Sequence, residues 1–152
     1  MYDACSLGEW EASRGDYAAA ATASRRLRSA RFDIMPDSAS VMRYAGLCAA
    51  LLDAVHASGL RMPGALARVA TADSLAKVSF YAVCCGEAVS DANLQLARLW
   101  EAEGDLPRAL EAVRRRAGAY GEAPLYLATF LREEGRLAAL VGPVGRADAQ
   151  FV

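Results

Sequence analysis

The chain holds little that would build a sheet or an active site. A single isoleucine, Ile34, stands against 34 alanines in 152 residues. Alanine costs least in a helix, whereas β-branched and aromatic residues fill strands, so this bias argues against a sheet and for helices. Neither sign of charge prevails: 17 basic and 18 acidic residues leave a net charge of −1. The basic footprint of a nucleic-acid binder is therefore missing. No apolar run approaches the roughly eighteen residues of a spanning helix. The start, Met1-Tyr2-Asp3, lacks the basic opening of a signal peptide, so no membrane role and a cytoplasmic location are expected. The four cysteines, Cys5, Cys48, Cys84 and Cys85, include no CxxC pair. They are expected to be buried and reduced, without a disulfide or metal role.

What is present is a profile that folds. Hydrophobic residues make up 55% and charged residues 23%, which separates the chain from disordered sequences. Apolar residues at helical spacing, with interrupting signals that come in pairs, predict an all-α fold of about eight helices in one domain over 1–152. The first pair, about 3–31, turns at Arg14-Gly15, with Asp16 capping the second helix. The second, about 38–77, opens near Asp37 or Ser38. It carries the stripe Val41, Tyr44, Ala45, Cys48, Leu51, Leu52 and Val55, ends its first helix at Gly59, and restarts with Pro63 in the first turn of the partner helix. The run 78–90 reads as a buried connector or the extension of a helix. The third pair, about 91–118, is capped by Asp91 and turns at Glu103-Gly104-Asp105. The fourth, about 123–152, starts at Pro124, turns at Gly142 and ends in a short helix holding Ala147 and Phe151.

Three of these pairs share one spacing, in which a small residue precedes the turn glycine by seven and an alanine follows it by five. The sets are Gly8, Gly15 and Ala20; then Ala97, Gly104 and Ala109; then Gly135, Gly142 and Ala147, with Phe151 four residues on. The spacing resembles the tetratricopeptide repeat, whose small residues let paired helices approach closely and whose glycine ends the first helix. It departs from that family in period: Gly104 to Gly142 is 38 residues against 34, and the second pair is degenerate. The resemblance implies a helix-turn-helix repeat solenoid acting as an adaptor that binds a protein or peptide in a concave groove. The last third, from Asn93-Leu94 to Arg136-Leu137, is also similar to repeat regions that follow kinase or transcriptional-regulator domains in some bacterial proteins. That similarity implies the alternative, a sensor module binding a small ligand.

No constellation for chemistry stands out, and neither enzymatic activity nor a cofactor is expected. The single histidine, His56, would need Cys48, Cys84 or Cys85 beside it to make a nucleophile pair, and no family signature surrounds those cysteines. Carboxylates such as Glu101, Glu103, Asp105, Glu133 and Glu134 read as caps and ion-pair partners. The arginine clusters Arg25, Arg26, Arg28, Arg31 and Arg114, Arg115, Arg116 read as a solvated convex face. If the first helices of each pair line the groove, Gln95, Arg98, Glu101, Arg132 and Arg136 face it and would suit an acidic peptide or a partner's C-terminus. The family's carboxylate-gripping residues are not reproduced: the matching positions hold Cys5 and Glu9, Leu94 and Arg98, Arg132 and Arg136. Trp100 and Tyr126 serve as anchors or fill the core, with core favoured for Trp100. The terminal helix, with Phe151 and Val152, is a candidate surface for homo-oligomers.

Overall fold

A computed structural model describes residues 2–30, 38–80, 86–115 and 124–142. Among the described residues all regular structure is helical: α1 (Tyr2–Ser13), α2 (Tyr17–Ser29), α3 (Ser38–Gly59), α4 (Ala65–Phe80), α5 (Gly86–Ala102), α6 (Leu106–Arg114) and α7 (Pro124–Val141). The expected short last helix and Ala147, Phe151 and Val152 lie outside the described residues. Of the two readings of 78–90, helix extension holds for the described part, since α4 runs on to Phe80 and α5 begins at Gly86; residues 81–85 lie outside the described residues. Among the described residues no helix is long and apolar enough to cross a membrane.

Each helix packs on its neighbours in the chain, and α3 also packs on α1 and on α5. The reason lies in α3, whose segment from Tyr44 to Ala57 is apolar on nearly every side. Ala45, Leu47 to Leu52, Ala54 and Ala57 are all buried, and a helix apolar all round must be enclosed by others. One core cluster joins α1, α2 and α3 through Cys5, Ala12, Ala20, Leu27, Cys48 and Leu52. The other runs from α3 to α7 through Leu51, Val69, Leu96, Trp100, Val113, Phe130 and Leu137. Trp100 therefore fills the core, with the Arg108 guanidinium 4.7 Å from its ring centre.

The turns follow from local chemistry. At Gly15 the amide donates to the Ala12 carbonyl at 2.9 Å and that of Asp16 to Glu11 at 3.0 Å. The Gly104 amide donates to Glu101 at 2.9 Å and that of Asp105 to Trp100 at 2.8 Å. Both glycines are left-handed, with φ of 90° and 83°, which closes the same helix-ending motif twice. Asp16 and Asp105 then cap α2 and α6 by accepting from the Ala19 and Arg108 amides at 2.9 and 3.1 Å. The steric part of the repeat spacing is met unevenly. A Cβ on Gly8 would come within 2.9 Å of Leu52, whereas one on Gly135 would meet nothing within 4 Å.

α3 ends at Gly59 as expected, though Gly59 is not its left-handed residue. The helix-ending left-handed residue of α3 is Arg61, at φ 50°, whose amide donates to Ser58 while that of Met62 donates to Ala57 at 2.8 Å. Gly59 admits the ring of Tyr17 instead: a Cβ there would lie 2.2 Å from Cε1. Gly59→Ala is expected to cost about 1–3 kcal/mol by overpacking, read as a lower urea midpoint. A second change, Tyr17→Leu, should relieve most of that loss if the ring contact causes it.

Candidate functional site

Three depressions lie along the row formed by α1, α3 and α5. The central one, about 330 Å³, is lined by Glu9, Ala12, Tyr17, Val55, Arg98 and Leu99 among others. Glu9 is shared with a smaller cavity of about 40 Å³ that also touches Tyr44, Leu47, Leu51 and Asp91. Ser58 and Ala102 are shared with a third of about 520 Å³, which reaches Arg61, Met62 and Glu103 at the far end. The three form one groove, with α3 as floor and α1 and α5 as walls. Residues along it recur at helical spacing: Tyr44, Leu47, Leu51, Val55 and Ser58 on α3, and Asp91, Gln95, Arg98 and Ala102 on α5. From Tyr44 to Gly59 the floor spans about 22 Å at the rise of an α-helix.

The expected groove residues separate into two groups. Gln95 and Arg98 line the central depression. Glu101, Arg132 and Arg136 are not among its lining residues, and each is paired with an opposite charge. Arg136 donates twice to Glu101, at 2.6 Å through each terminal nitrogen, and once to Glu133 at 2.9 Å. That bidentate hold pushes the Glu101 carboxyl below its ordinary range and Arg136 above its own. Arg132, with 73% of its side chain exposed, meets Glu133 at 3.3 Å. Tyr126 side-chain placement lies outside the described residues.

Glu9 is the groove residue that the sequence reading left unassigned, although its place was legible. It follows Gly8 as Arg98 follows Ala97, so the two occupy matching positions of the first and third pairs. Burial raises its pKa from 4.5 to about 7; the Asp91 carboxylate adds to the rise, and Arg98 opposes it. A carboxyl that holds its proton better folded than unfolded stabilises the fold fully below its ordinary value and loses that contribution as pH rises to about 7. Ionising Glu9 in place should cost about 3 kcal/mol. Thermal melts of the chain should thus fall from pH 5 to pH 8, and those of Glu9→Gln should lose most of that slope. A wild-type melting temperature that rises over this window would contradict the assignment.

Two other readings change here. Cys5 and Cys48, 43 residues apart in sequence, are joined as a disulfide with Cα atoms 5.8 Å apart, so this pair is not the reduced pair expected. The packing of α1 on α3 brings them together, and no spacing rule exposes that. Glu9 Oε1 lies 3.8 Å from the Cys5 sulfur. His56 Nδ1 meets the Tyr17 carbonyl at 2.8 Å. Cys84 and Cys85 lie outside the described residues. Among the described residues no group of three or more His, Cys, Asp or Glu is placed to hold a metal ion.

The second correction concerns arginine. Arg25, Arg26 and Arg28 are exposed, with Arg28 paired to Asp53, but Arg115 is not on a solvated face. Only 16% of its side chain is exposed, and it meets Asp73 of α4, Asn93 of α5 and Glu111 of α6. Arg114 pairs with Glu134 of α7 at 3.1 Å. Arg31 and Arg116 lie outside the described residues. Comparison with family models, with curated proteins and with solved structures finds no match for the chain.

Proposed function

We propose that the chain is a tetratricopeptide-like helical-repeat adaptor that takes an extended segment of a partner protein into the groove over α3. The observation that carries this reading is the continuity of the three depressions along α1, α3 and α5 through the shared residues Glu9, Ser58 and Ala102. A groove of about 22 Å fits about seven residues of extended chain. Its floor and walls alternate apolar side chains, Leu51, Val55 and Leu99, with polar ones, Glu9, Gln95 and Arg98, as peptide grooves require for grip and register. The pairing α1–α2, α3–α4, α5–α6, with α7 opening a fourth unit, supports the repeat reading, because the first helices of successive pairs then share one face. The rival, a sensor for a small ligand, needs a closed apolar cavity between the second and third pairs lined by 78–85, and 81–85 lie outside the described residues.

The test is selection of random seven-residue peptides, displayed on phage, against the immobilised chain and against Ala102→Trp. Ala102 is exposed and touches both larger depressions, so the indole fills the groove without entering the core. Peptides retained by the wild type should lose at least tenfold in affinity on the filled variant. Equal binding to both proteins would overturn the groove.

A further inference from the structure

The two ends of the groove differ in charge and closure, and that difference names the occupant. The far end is broad and carries both signs, Arg61 and Glu103. The near end narrows to about 40 Å³, where Glu9 of α1 and Asp91 of α5 line one cavity over Tyr44, Leu47 and Leu51 of α3, with no basic residue among its described walls. That volume exceeds what one water needs and suits one small polar head group. Glu9 is mostly buried, with the Cys5 sulfur 3.8 Å from its Oε1, and burying an ionised carboxylate is costly without a cation. Arg98 lies in the neighbouring depression and is exposed, so it offsets this only in part. Arg132 and Arg136, the arginines that would have drawn an acidic ligand, are held by Glu133 and Glu101. Resting on the groove reading above, we infer that the occupant is a peptide segment carrying a lysine or arginine side chain, whose cation enters the cavity beside Glu9 and Asp91 while its aliphatic stem lies over Leu51, Val55 and Leu99. Long cationic side chains cover apolar surface with their stems in this way. A divalent metal lacks a ligand set at this position, since two carboxylates among the described residues are too few.

Entry of the cation displaces the Glu9 proton, so binding and ionisation are linked. The groups that face Glu9 and set this linkage are Asp91 and Arg98 from α5, Tyr44 and the oxidised Cys48 from α3, Tyr17 from α2 and Cys5 on its own helix. With a carboxyl at about 7, the ionised fraction of the free protein grows about tenfold between pH 6 and pH 8, and affinity for a basic peptide should grow with it. The experiment uses peptides selected on the full chain at pH 8. The expected result is a lysine or arginine enriched at one position and a loss of at least tenfold in affinity when it is replaced by norleucine. A loss of similar size is expected on Glu9→Gln, whose affinity should be flat from pH 6 to pH 8. Pools without a basic position, or basic peptides held equally well by Glu9→Gln, would overturn the cation site while the groove stands if Ala102→Trp still blocks them. Failure to retain any peptide, or retention by Ala102→Trp, would overturn the groove and the cation site together.

Discussion

Arg115→Ala is expected to lower the stability of the chain by about 3 kcal/mol, a large fraction of what a domain of this size commands. The guanidinium holds Asp73, a buried carboxylate on α4 that Lys77 also reaches at 3.1 Å. Its Nε donates to the Asn93 side-chain oxygen at 3.1 Å, and the Asn93 amide donates back to the Arg115 carbonyl at 2.8 Å. Asn93 is wholly buried on α5. Removing the arginine side chain therefore takes one partner from each of two buried polar groups, leaving Asp73 with Lys77 and Asn93 with its backbone bond, and each such loss costs about 1–3 kcal/mol. A weaker outer ring limits the damage: the Lys77 ammonium is raised above its usual range chiefly by its hydrogen bond to Glu111, with Asp73 adding to it. The measurement is urea denaturation of Arg115→Ala, of Asp73→Leu and of Asp73→Leu with Arg115→Met. The double variant should be more stable than the sum of single losses implies, because it leaves no charge stranded. Strict additivity would show that the pair does not act as a unit.

Breaking the Cys5–Cys48 bond should have an effect of about the same size. The bond closes a loop with a sequence separation of 43, and in the chain-entropy account a loop of that length contributes about 4 kcal/mol by restricting the unfolded state. The consequence is local as well as global, since the bond ties α1, one wall of the groove, to α3, its floor. Cys48→Ser, or reduction of the chain by a dithiol, should lower the melting temperature by about 10 °C. Peptide mapping after denaturation and alkylation without reductant should recover Cys5 and Cys48 linked to each other. Recovery of both as alkylated thiols, together with an unchanged melting point under reductant, would show that the bond does not form.

The chain's helices were legible because their signals are local. The Gly15-Asp16 and Gly104-Asp105 turns combine a left-handed residue and a side-chain cap within four residues, so both are visible before any packing is known. What was not legible depends on distant partners. Gly59 stands at a helix end in either reading, and only the Tyr17 ring 2.2 Å from its would-be Cβ distinguishes an admitted neighbour from a terminator. Arg115 belongs to a run of three arginines that looks solvated, yet Asp73, 42 residues earlier, draws it inward. Gln95 and Arg98 were reachable as groove residues because helical spacing sets them on one face with Ala102. Arg136 shares that spacing logic but was assigned without its partner: Glu101, 35 residues away, takes both of its terminal nitrogens. Glu9 sat at the position matching Arg98, and its burial, a property of three helices together, is what gives it chemical interest.

The groove over α3 is tested most directly by recording amide shifts of the isotopically labelled chain as a selected peptide is added. Binding in the groove predicts changes concentrated at Glu9, Val55, Gln95, Arg98 and Ala102, on three helices that are separate in sequence but line one depression. Changes concentrated instead on the exposed side of α7, around Leu131 and Leu140, with the groove residues unmoved, would contradict the assignment and place the binding surface there.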